Sequence, residues 1–288
     1  MNEKGLSGLT VAAFESRMAP ECTRLIERYG GRALVTPALR ELPLQDNSAA
    51  LKFGVRLTAE RIDVLILLTG VGTTHLFDLL KSRYPWSSIL AALKQTAIVA
   101  RGPKPVAALK AFHLHPTLTV PEPNTWVDLI ATLDEYRPVK GLRVAVQEYG
   151  ASNPDLLEAL RERGADVFPV PIYRWALPED LRPLRQALDQ VMAGGVHVMM
   201  ITNAAQADHV MQILTQDGMI EPFRTALGRT VVASIGPTAS ECLRRHGWPI
   251  DLEPSHPKMG ILIKETAERA TTLLEAKRGP FPRPTEDA

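Results

Sequence analysis

Gly141-Leu142-Arg143-Val144-Ala145, with Glu148 three residues on, repeats Gly8-Leu9-Thr10-Val11-Ala12, with Glu15 three residues on, at an offset of 133 residues. An offset of 133 or 134 residues recurs along the rest of the chain. Gly31 followed by Pro37-Ala38-Leu39-Arg40 returns as Gly164 followed by Pro171-Ile172-Tyr173-Arg174. The apolar run Val64 to Leu68 ending in Thr69 returns as Val198 to Ile201 ending in Thr202. Thr96-Ala97-Ile98-Val99 leading to Gly102-Pro103 returns as Thr230-Val231-Val232-Ala233 leading to Gly236-Pro237, with Leu109 matched by Leu243 and Pro121 by Pro254. A period this long exceeds the roughly 20 to 50 residues of a solenoid unit. It predicts two related domains with a cleft between them.

The composition fits that division. A chain of 288 residues suits two cores, since domains commonly run to about 100 to 150 residues. With 45% hydrophobic and 23% charged residues the chain is of ordinary globular type. A net charge of +1 gives no whole-molecule attraction to nucleic acid or to an anionic membrane, so anion binding must come from local clusters. Met1 to Gly5 has no apolar core of signal-peptide length, and no apolar stretch approaches the roughly 18 residues of a membrane span. Cys22 and Cys242 lie in amphipathic patterns and read as reduced packing thiols of a cytosolic protein, not as a disulfide or metal ligands. The tail from Lys277 to Ala288 holds three prolines in twelve residues and reads as a disordered end.

Both copies share one grammar. Val11 to Phe14 and Val144 to Val146 are short apolar strands, each leading through a polar loop into a helix. In the second copy Asn153 can cap that helix with Pro154 at its first position and Asp155 in its first turn; Leu156, Leu157 and Leu160 make a buried stripe and Gly164 supplies the left-handed stop. Pro20, Leu25, Ile26, Tyr29 and Gly30-Gly31 do the same in the first copy. A further strand with a helix from about Thr73 to Lys81 follows, and another with a helix opening at Gly102-Pro103. Apolar runs that alternate with helices predict a parallel sheet covered on both faces, a doubly wound α/β architecture occurring twice.

Such sheets bind ligands outside the carboxyl ends of their strands. The loops to inspect are therefore Glu15 to Arg17, Thr69-Gly70-Val71-Gly72, Arg101-Gly102-Pro103-Lys104, Glu148-Tyr149-Gly150-Ala151-Ser152, Thr202-Asn203-Ala204 and Gly236-Pro237-Thr238. Several open a helix, which presents backbone N–H groups and the positive end of the helix dipole, a surface that suits carboxylates or phosphates. Gly70, Gly72, Gly102 and Gly236 equally fit tight strand-to-helix turns. No G-x-G-x-x-G follows the first strand, and there is no Walker loop and no G-x-S-x-G, so a dinucleotide, nucleotide or serine-hydrolase reading has no motif behind it. His113 and His115 read as a surface turn and His75 as helix packing. Glu15 and Glu148, equivalent in the repeat, can form a carboxylate pair for acid and base work, or cap and solvate their loops.

Thr69-Gly70-Val71-Gly72, Ala100-Arg101-Gly102-Pro103-Lys104, Pro171-Ile172-Tyr173-Arg174 and Ile235-Gly236-Pro237-Thr238-Ala239, in that order and on that repeat, resemble the uroporphyrinogen-III synthase family over residues 8 to 276. The resemblance implies two flavodoxin-like α/β domains joined by a two-stranded linker. The first would combine residues 1–40 with 177–288, and the second would span 46–171. The linkers would be 37–47 and 169–178, each with a Pro-x-x-Arg unit.

The chemistry implied by the resemblance needs no cofactor and no metal. Hydroxymethylbilane, a linear tetrapyrrole, loses its ring A hydroxyl to give an azafulvene; ring D attacks through its substituted carbon, and the spiro intermediate fragments and recloses with ring D inverted. Holding a flexible substrate so that one closure wins is a matter of proximity and orientation. The substrate's acetate and propionate carboxylates would meet Arg17, Arg101, Lys104 and Arg174, together with the loops of Thr69, Gly70, Val71, Gly72, Gly102, Tyr149, Gly150, Thr202, Asn203, Ala204, Gly236, Pro237 and Thr238. Tyr173, matched in the other repeat by Leu39, would donate a hydrogen bond to the departing hydroxyl. Lys104 departs from the small hydroxyl residue common at its position in the family. Expected partners are this small polycarboxylate and, transiently, the preceding enzyme of the pathway; nucleic acid and membrane are not expected. The alternative is a non-catalytic two-domain binding protein or sensor that closes on an anionic small molecule.

Overall fold

A computed structural model describes residues 5–278 apart from Gln45 and Ala151, and the backbone alone of Pro43 and Tyr149. The chain divides into two compact units, one made of the segments up to Arg40 and from Ala176 onward, the other of Glu41–Trp175.

In the first unit the elements are β1 (Thr10–Ala13), α1 (Ala19–Arg28) and β2 (Arg32–Val35), then α8 (Arg182–Met192), β9 (Val198–Ile201), α9 (Ala204–Asp217), α10 (Ile220–Leu227), β10 (Val231–Ser234), α11 (Pro237–Arg245) and α12 (Met259–Arg278). The sheet has the order β10-β9-β1-β2, and its pairs are parallel. Successive residues of a strand point to opposite faces. Ala12, Phe14, Met199, Ile201 and Val232 accordingly pack under the helices that carry Leu188, Val210, Phe223 and Leu243, while Val11, Ala13, Val198, Met200, Val231 and Ala233 pack under Cys22, Ile26, Leu262 and Leu274. Coverage of both faces explains why β1, β9 and β10 are almost wholly apolar. Arg40 Nε donates to the Leu177 carbonyl at 3.1 Å and so ties together the two passages of chain that make up this unit.

The second unit runs β3 (Arg40–Pro43), α2 (Ser48–Val55), β4 (Val64–Leu67), α3 (Gly70–Arg83), α4 (Trp86–Leu93), β5 (Ala97–Ala100), α5 (Pro103–Ala111), β6 (Leu118–Thr119), α6 (Trp126–Tyr136), β7 (Arg143–Gly150), α7 (Pro154–Glu162) and β8 (Asp166–Ala176). Its sheet has the order β3-β8-β7-β4-β5-β6. Leu65, Leu67, Ile98, Ala100 and Ala145 face one layer, with Phe53, Leu76, Phe77 and Leu109; Val64, Ile66, Val99, Val144 and Val146 face the other, with Leu129, Leu133, Leu156 and Leu160.

The residues matched by the repeat occupy equivalent places. Within the first sheet β2, β1, β9 and β10 stand in the order that β8, β7, β4 and β5 take in the second. The register agrees residue by residue: Val11 pairs with Val198 as Val144 pairs with Val64, and Val231 pairs with Val198 as Ala97 pairs with Val64. An isolated bridge from Ala233 to Leu252 stands where Val99 meets Leu118 in the other unit. The α7 cap forms as its residues dictate, with Asn153 accepting from the Leu156 N–H at 3.0 Å, Pro154 in the first turn and Gly164 at φ 79°.

Two expectations need correction. The helix after β4 begins at Gly70 and runs to Arg83, so the glycines expected in a loop lie in its first turn. The tail expected to be disordered from Lys277 is helical through Arg278: Lys277 Nζ contacts Asp251 at 2.6 Å and donates to the carbonyls of Leu227 at 3.0 Å and Thr230 at 2.8 Å, groups that a lysine on a continued α12 can reach. Residues 279–288 lie outside the described part.

Candidate functional site

In each sheet the chain reverses its winding direction beside the central strand, between β1 and β9 in the first unit and between β7 and β4 in the second. Ligands of open α/β sheets sit in the crevice outside the strand ends at such a switch point.

At the first switch point three polar side chains meet. The Thr202 hydroxyl and Gln206 Nε2 both donate to Glu15 Oε1, the amide at 3.4 Å, and Gln206 Oε1 accepts from the Thr202 N–H at 2.9 Å. Gln206 is 2% exposed, and its amide is held by its bonds to Thr202 and Glu15. Asn203 caps α9, its Oδ1 accepting from the Ala205 N–H at 3.0 Å, and Ala204 is the first helical residue. Arg17, after β1, is exposed. Gly236 caps α11 with Pro237 and Thr238 in its first turn.

At the second switch point Gln147, fully buried, accepts from the Thr69 N–H through Oε1 at 3.3 Å and donates to the Glu148 carbonyl through Nε2. Thr69 caps α3, its hydroxyl accepting from the Gly72 N–H at 3.0 Å. The first N–H groups of a helix lack intrahelical partners. Those of Gly70 and Val71 remain without one among the described residues. A Cβ at Gly70 would stand 2.8 Å from the Lys104 carbonyl oxygen, so glycine here lets α3 approach the backbone of α5. Gly102 caps α5 at φ 87°, and a Cβ there would meet Asn124 Oδ1 at 2.4 Å. Arg101 is half-buried and Lys104 exposed. Glu148 is nearly buried and accepts from the Ser152 hydroxyl, so the two repeat-equivalent glutamates each take a hydroxyl from a strand-end loop.

Other expected residues gather at the ends of β7 and β8. Gly150 pairs with Arg174 across a bulge that follows Glu148. Arg174 is exposed. The side chain of Tyr149 lies outside the described residues. Tyr173 is 6% exposed and belongs to the second unit's core, its ring 6.3 Å from that of His75 on α3. Gln147 and Gln206 are the residues that the sequence reading missed. Neither carries a motif: Gln147, within β7, reaches Thr69 only through the strand order, and Gln206, in the first turn of α9 and four residues from Thr202, meets Glu15 only because β1 lies beside β9.

The thiol of Cys242 is not a plain packing group: Sγ lies 3.2 Å from Asp208 Oδ1, to which His246 Nε2 is also close, at 2.8 Å. Among the described residues no helix is long and apolar enough to cross a membrane.

The family model described as "Uroporphyrinogen-III synthase HemD" matches residues 20–264. The chain is 28% identical over 266 residues to the Bacillus subtilis protein YjjA, covering 92% of this chain and 97% of that one. Among solved structures, a mutant uroporphyrinogen III synthase of the extremely thermophilic bacterium Thermus thermophilus aligns with a TM-score of 0.70 at 24% identity, covering 92% of this chain and 99% of the other. The wild-type form aligns at 0.56 with 25% identity, over 92% and 98%. The match to the family model spans both units and takes in the strand-end loops from Thr69 to Thr238, while the loop after β1 that carries Glu15 and Arg17 precedes it. The chain belongs to the uroporphyrinogen-III synthase family.

Proposed function

We propose that this protein is an enzyme of tetrapyrrole synthesis that converts hydroxymethylbilane to uroporphyrinogen III. The observation that carries the reading is the family match over residues 20–264, which includes every strand-end loop from Thr69 to Thr238. The hydroxyl leaves the ring A hydroxymethyl carbon as water, taking a proton from a donor, and leaves an azafulvene. Ring D bonds to that carbon through its substituted position, the spiro centre breaks its bond to the neighbouring bridge carbon, and that carbon rejoins ring D at the free position. Loss of one proton restores the aromatic pyrrole, so the net change is the loss of one water.

The residues suit a substrate rich in carboxylates. The N–H groups of Gly70 and Val71, without an acceptor among the described residues, stand at a helix start, where the dipole adds to their attraction for anions. Arg101, Lys104, Arg174 and Arg17 supply charge at strand ends, and arginine grips a carboxylate with two parallel bonds. We assign the proton donation to Tyr173. The loops select one closure by orientation. Incubation with hydroxymethylbilane, followed by oxidation and separation of the porphyrin isomers, tests the reading: type III product in excess supports it, and the type I product of spontaneous closure refutes it.

A further inference from the structure

One cluster of metal-ligating side chains has no part in that chemistry. Cys242 on α11 and His246 at its end are four residues apart and so share a helix face; Asp208 on α9 lies opposite. The ligating atoms of all three lie within 4.8 Å of one another. Asp208 Oδ1 is 3.2 Å from Cys242 Sγ and 2.8 Å from His246 Nε2. The cluster has a buried side and an open one: Cys242 is 1% exposed, and the Asp208 side chain is 49% exposed. Trp248 backs the imidazole, with ring centroids 5.7 Å apart.

We propose that Asp208, Cys242 and His246 bind a zinc ion, with water completing a tetrahedron on the open side. The donor set selects the metal: one thiolate sulfur, one imidazole nitrogen and one carboxylate oxygen suit zinc, whereas magnesium and calcium take oxygen ligands. Zinc bonds of about 2.3 Å to sulfur and 2.0 to 2.2 Å to nitrogen and oxygen separate tetrahedral ligands by about 3.4 to 3.6 Å. The separations of 3.2 and 2.8 Å from Asp208 therefore need to widen by about half an ångström, and that between Cys242 and His246, within 4.8 Å, has to settle at about 3.5 Å. A hydrogen-bond cluster alone does not call for a thiol, which is a weak donor. The Cys242 thiol is otherwise inert, pushed up to about 12 by burial and then by Asp208, with Arg245 acting the other way. A metal replaces that proton, which passes to solvent as the sulfur–zinc bond forms. Arg245 is exposed and can turn outward. Filled, the site would brace α9 against α11.

The test uses the full chain, stripped by chelator and titrated with zinc and, as a coloured reporter, with cobalt(II). Expected are one equivalent bound, a thiolate-to-cobalt charge-transfer band with the intense visible bands of four-coordination, and release of about one proton per zinc in calorimetry across buffers. Cys242→Ser should remove the charge-transfer band and weaken zinc by at least about 100-fold. Because Cys242 is buried, His246→Gln near the surface gives a second variant, with the same expected loss. Arg245→Gln, which removes a nearby positive charge, should tighten zinc by about fivefold. Absence of binding at micromolar zinc, binding without the thiolate band, or a band that survives Cys242→Ser and so belongs to Cys22 would each overturn the proposal.

Discussion

Thr202 and Gln206 are joined twice at the carboxyl end of β9, the backbone N–H of Thr202 donating to Gln206 Oε1 at 2.9 Å and Gln206 Nε2 lying 2.9 Å from the Thr202 hydroxyl. Thr69, its counterpart in the repeat, meets a glutamine amide too, but from Gln147 on the neighbouring strand. Two different elements thus hold the same N–H at the two switch points.

Removing one of these amides leaves a buried donor unsatisfied. Gln206→Met keeps the volume and deletes the bonds to Thr202 and Glu15, so stability should fall by about 1 to 3 kcal/mol. Urea unfolding checks this; a change below about 0.5 kcal/mol, the range of an ordinary surface substitution, would contradict it.

Gly70→Ala tests the approach of α3 to α5. The new Cβ would stand 2.8 Å from a backbone oxygen that cannot turn aside. The helices must shift, at about 1 to 3 kcal/mol, and thermal unfolding should show a lower midpoint. An unchanged midpoint would mean that the two helices are not held this close.

Tyr173→Phe retains a ring that is 6% exposed and deletes its hydroxyl. If the hydroxyl assists departure of the leaving group, kcat should fall by about 10² or more with KM little changed. Full turnover would leave Tyr173 as a packing partner of His75.

In the metal-free protein both thiols should stay protonated well into alkaline solution. Burial, with Glu15 nearby, pushes Cys22 up from 9.0 to about 12, and burial followed by Asp208 does the same for Cys242. A group raised in the folded state contributes stability that is present in full below its unfolded value and is lost as pH rises toward the folded one. The native protein should therefore lose stability between about pH 9 and 12. At pH 9 a thiol reagent should react rapidly only after denaturant is added; prompt reaction of two thiols in the native state would contradict the burial account.

The fold was legible because its decisive signals are periodic. Val64 to Leu68 and Val198 to Ile201 are apolar on both faces, which requires helices above and below, and the matched registers of Val11 with Val198 and Val144 with Val64 follow from the repeat. N-caps such as Asn153 were likewise readable, since they answer local backbone demands. What the sequence hid depends on distance across the fold. Gln147 acquires its partner 78 residues away and Cys242 meets an aspartate 34 residues back, and neither pairing leaves a local pattern. Lys277 read as the start of a loose tail because its carbonyl partners lie 47 and 50 residues earlier.

The central claim is that the protein directs ring closure. Hydroxymethylbilane generated in place should be presented to the protein and to a heat-inactivated control, and the ratio of type III to type I porphyrin measured after oxidation. The account predicts predominantly type III with active protein and type I in the control; the same isomer ratio in both would contradict it.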